Sequence, residues 1–202
     1  MKLRLCLFLA IAILAVGVTT ASAQSKAWTL KGSKTPETTI GATDLLKVNY
    51  FSNANVSGAP DGKVRISNPG SPTGNLCAQI YVFDPFQELS ECCACLVTPN
   101  GLRKLSVDGD LTANPLTSTT LTDGEVTIIS GYTNNNICSP LNDIVSPTIR
   151  AWGTHIDDSF QITETEYSER SLGLWNDNLL TDCYAISIAG SGHGTCTCGT
   201  GD

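Results

Sequence analysis

The chain has 202 residues, with 12 Lys and Arg against 19 Asp and Glu, for a net charge of −7. An acidic balance of this size argues against nucleic acid and anionic membranes as partners, because their phosphates call for a basic surface. Thr, Ser, Asn and Gly are plentiful while Lys and Glu are sparse, a mixture that suits strands and turns better than long helices.

The N-terminus reads as an export signal. Lys2 and Arg4 make a short positive region, Leu5 to Val18 is almost unbroken in apolar residues, and Ala21-Ser22-Ala23 precedes Gln24 as a small-residue cleavage site. The apolar run is too short to span a bilayer comfortably. No cysteine stands at the cleavage point to carry a lipid, and Gly199-Thr200-Gly201-Asp202 has no lipid motif. The expectation is a signal peptide over 1–23, then an exported chain in the periplasm or outside the cell, with no membrane span in the mature part. Residues 24–43 are polar, contain Lys34-Thr35-Pro36-Glu37, and read as a loosely ordered lead-in.

From there the chain reads mostly as strands. In residues 44–52, Leu46, Val48 and Tyr50 alternate with Lys47 and Asn49. In residues 63–68, Val64 and Ile66 point inward and Lys63 and Arg65 outward. Residues 76–83 are a dense apolar run of central-strand type. Asp84-Pro85-Phe86-Gln87 then carries helix-start chemistry: a capping carboxylate, proline at the first helical position and Gln87 to close a capping box. This predicts one or two helical turns over 85–92. Residues 96–107 read as a hairpin turning at Pro99-Asn100-Gly101. Residues 108–124 are loop-rich, 125–130 form a strand, and 131–147 are a second long loop. Residues 148–156 and 160–167 read as a strand pair around Asp157-Asp158-Ser159. At 171–186 the period changes: Leu172, Trp175, Leu179, Cys183 and Ile186 fall three or four apart, one face of an amphipathic helix.

Beyond Cys6, inside the signal, eight cysteines remain: Cys77, Cys92, Cys93, Cys95, Cys138, Cys183, Cys196 and Cys198. In an oxidising compartment they read as four disulfides. Spacing leaves the connectivity open. A bond between adjacent Cys92 and Cys93, or across the one residue separating Cys196 from Cys198, is geometrically poor. Each knot must therefore reach outward, toward Cys77, Cys138, Cys183 or the other knot. A bridge from tail to middle would close a loop of about one hundred residues, worth about 4–5 kcal/mol in the chain-entropy picture.

The run Cys77-Ala78-Gln79-Ile80-Tyr81-Val82-Phe83-Asp84, the run from Gln87 through Cys92-Cys93-Ala94-Cys95, Thr98-Pro99-Asn100-Gly101-Leu102, and the ending Gly190-Ser191-Gly192-His193-Gly194-Thr195-Cys196-Thr197-Cys198 belong together. They resemble a group of exported cysteine-rich proteins from soil bacteria of the acidobacterial type, over roughly residues 60–198. The resemblance implies export and a bacterial source, and nothing about chemistry.

Candidate chemistry is thin. Cys92, Cys93 and Cys95 with Cys196 or Cys198 would make a thiolate metal site, but neither knot has the two-to-four-residue ligand spacing of zinc sites. A redox role wants C-x-x-C, which is also missing. For hydrolysis, His155 and His193 are the available bases. His193 lies near Ser191, but the surrounding glycines do not fit a nucleophile elbow. Glu164 and Glu166 share one strand face, whereas glycoside hydrolysis needs carboxyl groups across a bond. Asp108-Gly109-Asp110, Asp157-Asp158 and Asn176-Asp177-Asn178 offer oxygens for calcium but read first as turn chemistry. Asn55-Val56-Ser57 matches a glycosylation acceptor, without meaning in a bacterial host. Trp28, Trp152 and Trp175 could line a carbohydrate platform.

The sequence therefore predicts one mainly β domain over 24–202. It is an antiparallel sandwich with one short and one longer helix, stapled by disulfides, with no catalytic set, metal or cofactor. The function expected is binding or a surface role toward a protein or glycan ligand that the sequence does not identify. A secreted hydrolase with a cleft near His155, Glu164 and Glu166 is the first alternative, and a thiolate metal or redox protein the second.

Overall fold

The computed structural model describes residues 46–70, 74–139, 149–170 and 175–199. Among these residues, nine strands form two antiparallel sheets. The strands are β1 (Leu46–Phe51), β2 (Lys63–Ser67), β3 (Leu76–Phe83), β4 (Leu89–Val97), β5 (Leu102–Ser106), β6 (Gly124–Tyr132), β7 (Arg150–Ile156), β8 (Ile162–Glu166) and β9 (Ser168–Arg170). One sheet has the order β4-β3-β6-β1-β9, the other β5-β2-β7-β8. This is the mainly β, disulfide-stapled architecture the composition pointed to. The signal segment and residues 24–43 lie outside the described residues, as do 140–148 and 171–174.

The core lies between the sheets. Leu76, Ile80, Val126 and Ile128 from the larger sheet meet Val64, Ile66, Leu105 and Ala151 from the smaller one. Each large aliphatic side chain buried there contributes about 1.5–3 kcal/mol. β3 is buried along almost its whole length. It sits between β4 and β6 in its sheet, so neither face nor edge meets water, which accounts for its unbroken apolar sequence. The chain changes sheets at Tyr167, the single residue between β8 and β9. Its N–H donates to the Ala151 carbonyl at 2.9 Å, and its ring is buried in the core. Burial raises its phenol's pKa further above the ordinary value, with the Glu125 charge adding to the effect.

The longer helix, α1 (Trp175–Ala189), lies on the outer face of the larger sheet. Leu179, Cys183 and Ile186, the face predicted from spacing, pack there with Tyr81, Cys92 and Ile129. No helix among the described residues is long and apolar enough to cross a membrane.

Two expectations are corrected. Residues 85–92 are not helical. Asp84 Oδ1 accepts from the N–H groups of Phe86 and Glu88, both at 2.9 Å, and Gln87 takes a left-handed φ of 69°. That closes a tight β3–β4 hairpin, and Glu88 leads straight into β4. The short helix of the fold is instead a π-helical turn, Val107–Leu111. The segment 96–107 does turn where expected, with Gly101 N–H donating to the Thr98 carbonyl at 2.8 Å. Its two arms belong to different sheets, however, so the turn is a corner between layers and not a hairpin. On β1, where the alternation alone did not say which set faces the core, Lys47 faces inward at 2% exposure, while Tyr50 of the opposite set is 59% exposed.

Candidate functional site

The alternation of a strand explains the central cysteine knot. Successive residues of β4 face opposite sides, so adjacent Cys92 and Cys93 serve different layers. Cys92 points outward and is bonded to Cys183 of α1, holding the helix on the sheet. Cys93 and Cys95 point inward, bonded to Cys196 and Cys198. A fourth bridge joins Cys77 on β3 to Cys138 in the loop after β6. The tail runs parallel to β4, with Cys92 N–H donating to Gly194 O at 2.9 Å and Cys196 N–H to Cys92 O at 3.2 Å. Two chains with cysteines at the strand period, side by side in parallel, bring each C-x-C partner opposite its mate. That register is why both knots have one residue between cysteines. The tail so held covers the edge of β4, an edge that would otherwise present unpaired backbone groups.

Polar groups reinforce this strap. Thr197 Oγ1 donates to Asp110 Oδ1 at 2.6 Å, and Arg103 donates to Cys198 O at 3.3 Å. Asn114 Nδ2 donates to Gly192 O and Thr195 O at 3.0 and 3.3 Å. Cys93, Cys95 and Cys198 sulfurs lie within 4.8 Å of one another, close enough for one metal ion. All three are nonetheless taken up in S–S bonds, as are Cys92 and Cys196, the other members of the thiolate alternative.

The residues named for hydrolysis are kept apart by the same parity. His155 lies on the inward side of β7, its Nε2 2.6 Å from Thr165 Oγ1 and its ring 4.0 Å from that of Tyr50. Burial lowers its pKa, and the backbone carbonyl of Tyr50, which favours the protonated ring, offsets part of that effect. Glu164 and Glu166 sit on the exposed edge strand β8, paired with Arg65 and Arg150 respectively. Glu164 lies opposite Thr154 and Glu166 opposite Trp152, whereas His155 faces Thr163. The two carboxylates and the imidazole therefore project from opposite faces of one sheet. His193 Nδ1 lies 2.9 Å from Asn114 Oδ1, within the strap.

The acidic clusters act as turns. Asp108 Oδ1 accepts from Asn55 N–H and Asp110 Oδ2 from Ser106 N–H. Asp157 Oδ1 accepts from Ser159 N–H, Ser159 Oγ–H and Gln161 N–H, which hold its carboxyl below the usual range. Asp61 joins the first cluster. Burial pushes its pKa up, but bonds from Lys63, Ser106 and Asp108 N–H outweigh that and leave it lowered. Asn55, the glycosylation acceptor, spends its amide on Thr112 Oγ1 and Leu121 O at 2.8 and 2.9 Å. Trp152 is half-buried on the smaller sheet; Trp28 and the side chains of Trp175, Asn176 and Asp177 lie outside the described residues.

What composition and motifs did not single out is a groove of about 370 Å³ on the outer face of the larger sheet. Leu46 and Val48 of β1, Thr127 of β6 and Phe83 of β3 form its floor, Leu179 of α1 one wall, and Asp84, Gln87 and Glu125 its polar rim. The groove exists because β1, β6 and β3 are neighbours only through the sheet order. α1 covers one part of the face and stops short of the rest. Asp84 and Gln87 carried a sequence signal as helix-start chemistry, and Leu46, Val48 and Leu179 as parts of a strand and a helix face, but none of these signals brings the residues together, because their proximity is a product of topology.

No family model matches the chain, and no characterised protein or solved structure is similar to it.

Proposed function

We propose that this is an exported, disulfide-stabilised binding protein without catalytic activity, working in the periplasm or outside the cell. The observation that carries the reading is the groove on the larger sheet. Its volume falls at the small end of ligand pockets, and its apolar floor with a few polar rim groups is the usual composition of such sites. Its lining has two carboxylates, Asp84 and Glu125, and Thr127, but no histidine, serine, cysteine or lysine, so the nucleophile–base pairs that use those residues have no members there. Four bridges fasten the helix, the tail and a long loop to this sheet and its neighbours, which pre-organises the surface. The signal-like N-terminus supports export, and cysteines placed as disulfides agree with it. The resemblance to exported cysteine-rich bacterial proteins points the same way.

The test is a thermal-shift screen of the oxidised protein against a small-molecule collection, repeated on Val48→Trp, which fills the groove. Ligands that raise the melting temperature of the native chain and not of the variant support the reading. A ligand that mass spectrometry finds chemically converted overturns the non-catalytic part, and stabilisation that survives Val48→Trp overturns the groove.

A further inference from the structure

We infer that the groove takes a small organic cation, an amine with a hydrophobic body. The inference rests on the binding reading above and names its ligand class.

The rim of the groove is charged in one sense only. Asp84 and Glu125 stand on it, and its lining residues include no Lys, Arg or His. Some carboxylates elsewhere in the fold have a cation beside them, while others, such as Asp108 and Asp157, are held by neutral groups. Glu164 and Glu166 pair with arginines, Glu169 with Lys47, and Asp61 with Lys63. At the groove the matching cation is missing from the lining. Uncharged groups donate to these two carboxylates. Asp84 Oδ1 receives two backbone N–H groups and Glu125 Oε1 receives Thr127 Oγ1 at 3.1 Å. The negative charge on the rim is therefore left uncompensated by the lining.

Beneath that rim the floor is Leu46, Val48 and Phe83 with the wall of Leu179. An amphiphilic amine satisfies both halves. Its hydrocarbon leaves water for the floor, its ammonium meets two carboxylates, and the ring of Phe83 adds an aromatic face of the kind that attracts cations. A carboxylic acid would be repelled at the rim. A sugar, with hydroxyls all round, would lose hydration over the apolar floor without gaining a partner there.

A further observation concerns Gln87. It lines the groove from a left-handed backbone, φ 69°, where glycine would be relaxed. Its amide adds a hydrogen-bonding group to the rim beside the two carboxylates. Phe86 beside it is 85% exposed at the hairpin tip.

The experiment uses three probes of equal length: hexylammonium, hexanol and hexanoate. Binding to the oxidised chain is followed by amide chemical shifts at low ionic strength. Hexylammonium is expected to shift residues of β1, β6 and the β3–β4 hairpin, and to bind about fivefold more tightly than hexanol, with hexanoate weakest. Raising the salt should shrink the preference without touching hexanol. Glu125→Gln should lower the affinity for hexylammonium and leave hexanol unchanged. Gln87→Arg, at an exposed position, supplies a resident cation and should compete in the same way. If hexanol binds the groove as tightly as hexylammonium, the cation inference is overturned and the binding reading stands. If no probe moves groove resonances, both fall.

Discussion

The backbone N–H of Asn114 donates to Glu91 Oε1 at 2.8 Å, while the second oxygen, Glu91 Oε2, is buried without a hydrogen-bond partner. Glu91 lies on the inward face of β4, opposite Val82, and is fully buried. A carboxylate in such a place loses its hydration and gains one backbone donor in return, so the neutral acid is favoured.

Burial pushes the Glu91 carboxyl up from 4.5 to about 7, and the Asn114 bond opposes part of that rise. A folded-state pKa above the unfolded one means the native chain holds its proton more tightly. The stability this contributes is complete below pH 4.5 and is lost as pH climbs through about 7. The expected loss is up to about 3 kcal/mol. Urea denaturation at pH 5 and pH 8 should show Glu91→Gln less stable than, or equal to, the native chain at the lower pH and more stable at the higher. Parallel pH dependence in the two proteins would show that Glu91 ionises in the fold without penalty.

Asn114 also ties Glu91 to the strap, since its side chain carries Gly192 O and Thr195 O and its own carbonyl receives Gly194 N–H at 2.7 Å. Asn114→Ala removes the side-chain bonds and leaves the backbone ones. A cost of about 1–2 kcal/mol is expected, with faster amide exchange confined to residues 190–195, because the disulfides at Cys196 and Cys198 still hold the end. Exchange that accelerates across β3 and β6 would mean that Asn114 supports the sheet itself.

The paired bridges Cys93–Cys196 and Cys95–Cys198 are not worth the same together as apart. With Cys92–Cys183 intact, either one alone closes a loop of only about fifteen residues, worth about 3 kcal/mol, and the second then closes a much smaller ring, worth about 2 kcal/mol. Removing one pair as Cys→Ala should therefore cost about 2 kcal/mol, and removing both about 5 kcal/mol. Denaturation of the two single-pair variants and the double-pair variant measures this directly. Strict additivity would mean that each bridge acts through local packing and not through the chain ends it joins.

What was legible in the sequence depended on whether neighbours along the chain decided it. Val64 and Ile66 alternate with Lys63 and Arg65, and β2 buries the first pair. Leu179, Cys183 and Ile186 share a helical face whatever lies beneath, and that face is the one that packs. The stretch from Asp84 to Glu88 misled because a carboxylate accepting nearby N–H groups serves a helix cap and a tight turn equally well. The choice was made by the strand pairing of Leu89–Val97 with β3, which is tertiary. At Thr98-Pro99-Asn100-Gly101 the turn was plain, but a turn does not say whether its arms pair with each other or with different sheets. The groove was the least legible feature, since Val48, Phe83 and Thr127 meet only through the order β3-β6-β1.

Lys47 marks another place where local pattern did not decide the outcome. Apolar Leu46, Val48 and Tyr50 form one face of β1, yet Phe51 enters the core and Lys47 is buried beside Glu169, with Nζ–Oε1 at 2.8 Å. Arg150 reaches the same carboxylate and Glu166, both at 3.3 Å. Glu169→Leu takes the carboxylate from a buried ammonium and should cost about 3 kcal/mol. Lys47→Met fills the same space without a charge. It leaves Glu169 partly exposed and still paired with Arg150, so the cost should stay below about 1 kcal/mol. Adding Lys47→Met to Glu169→Leu should then recover most of the loss. If the glutamate variant is no less stable than the lysine variant, the ammonium is satisfied by other groups, and the pair fixes the position of β9 against β1 without stabilising it.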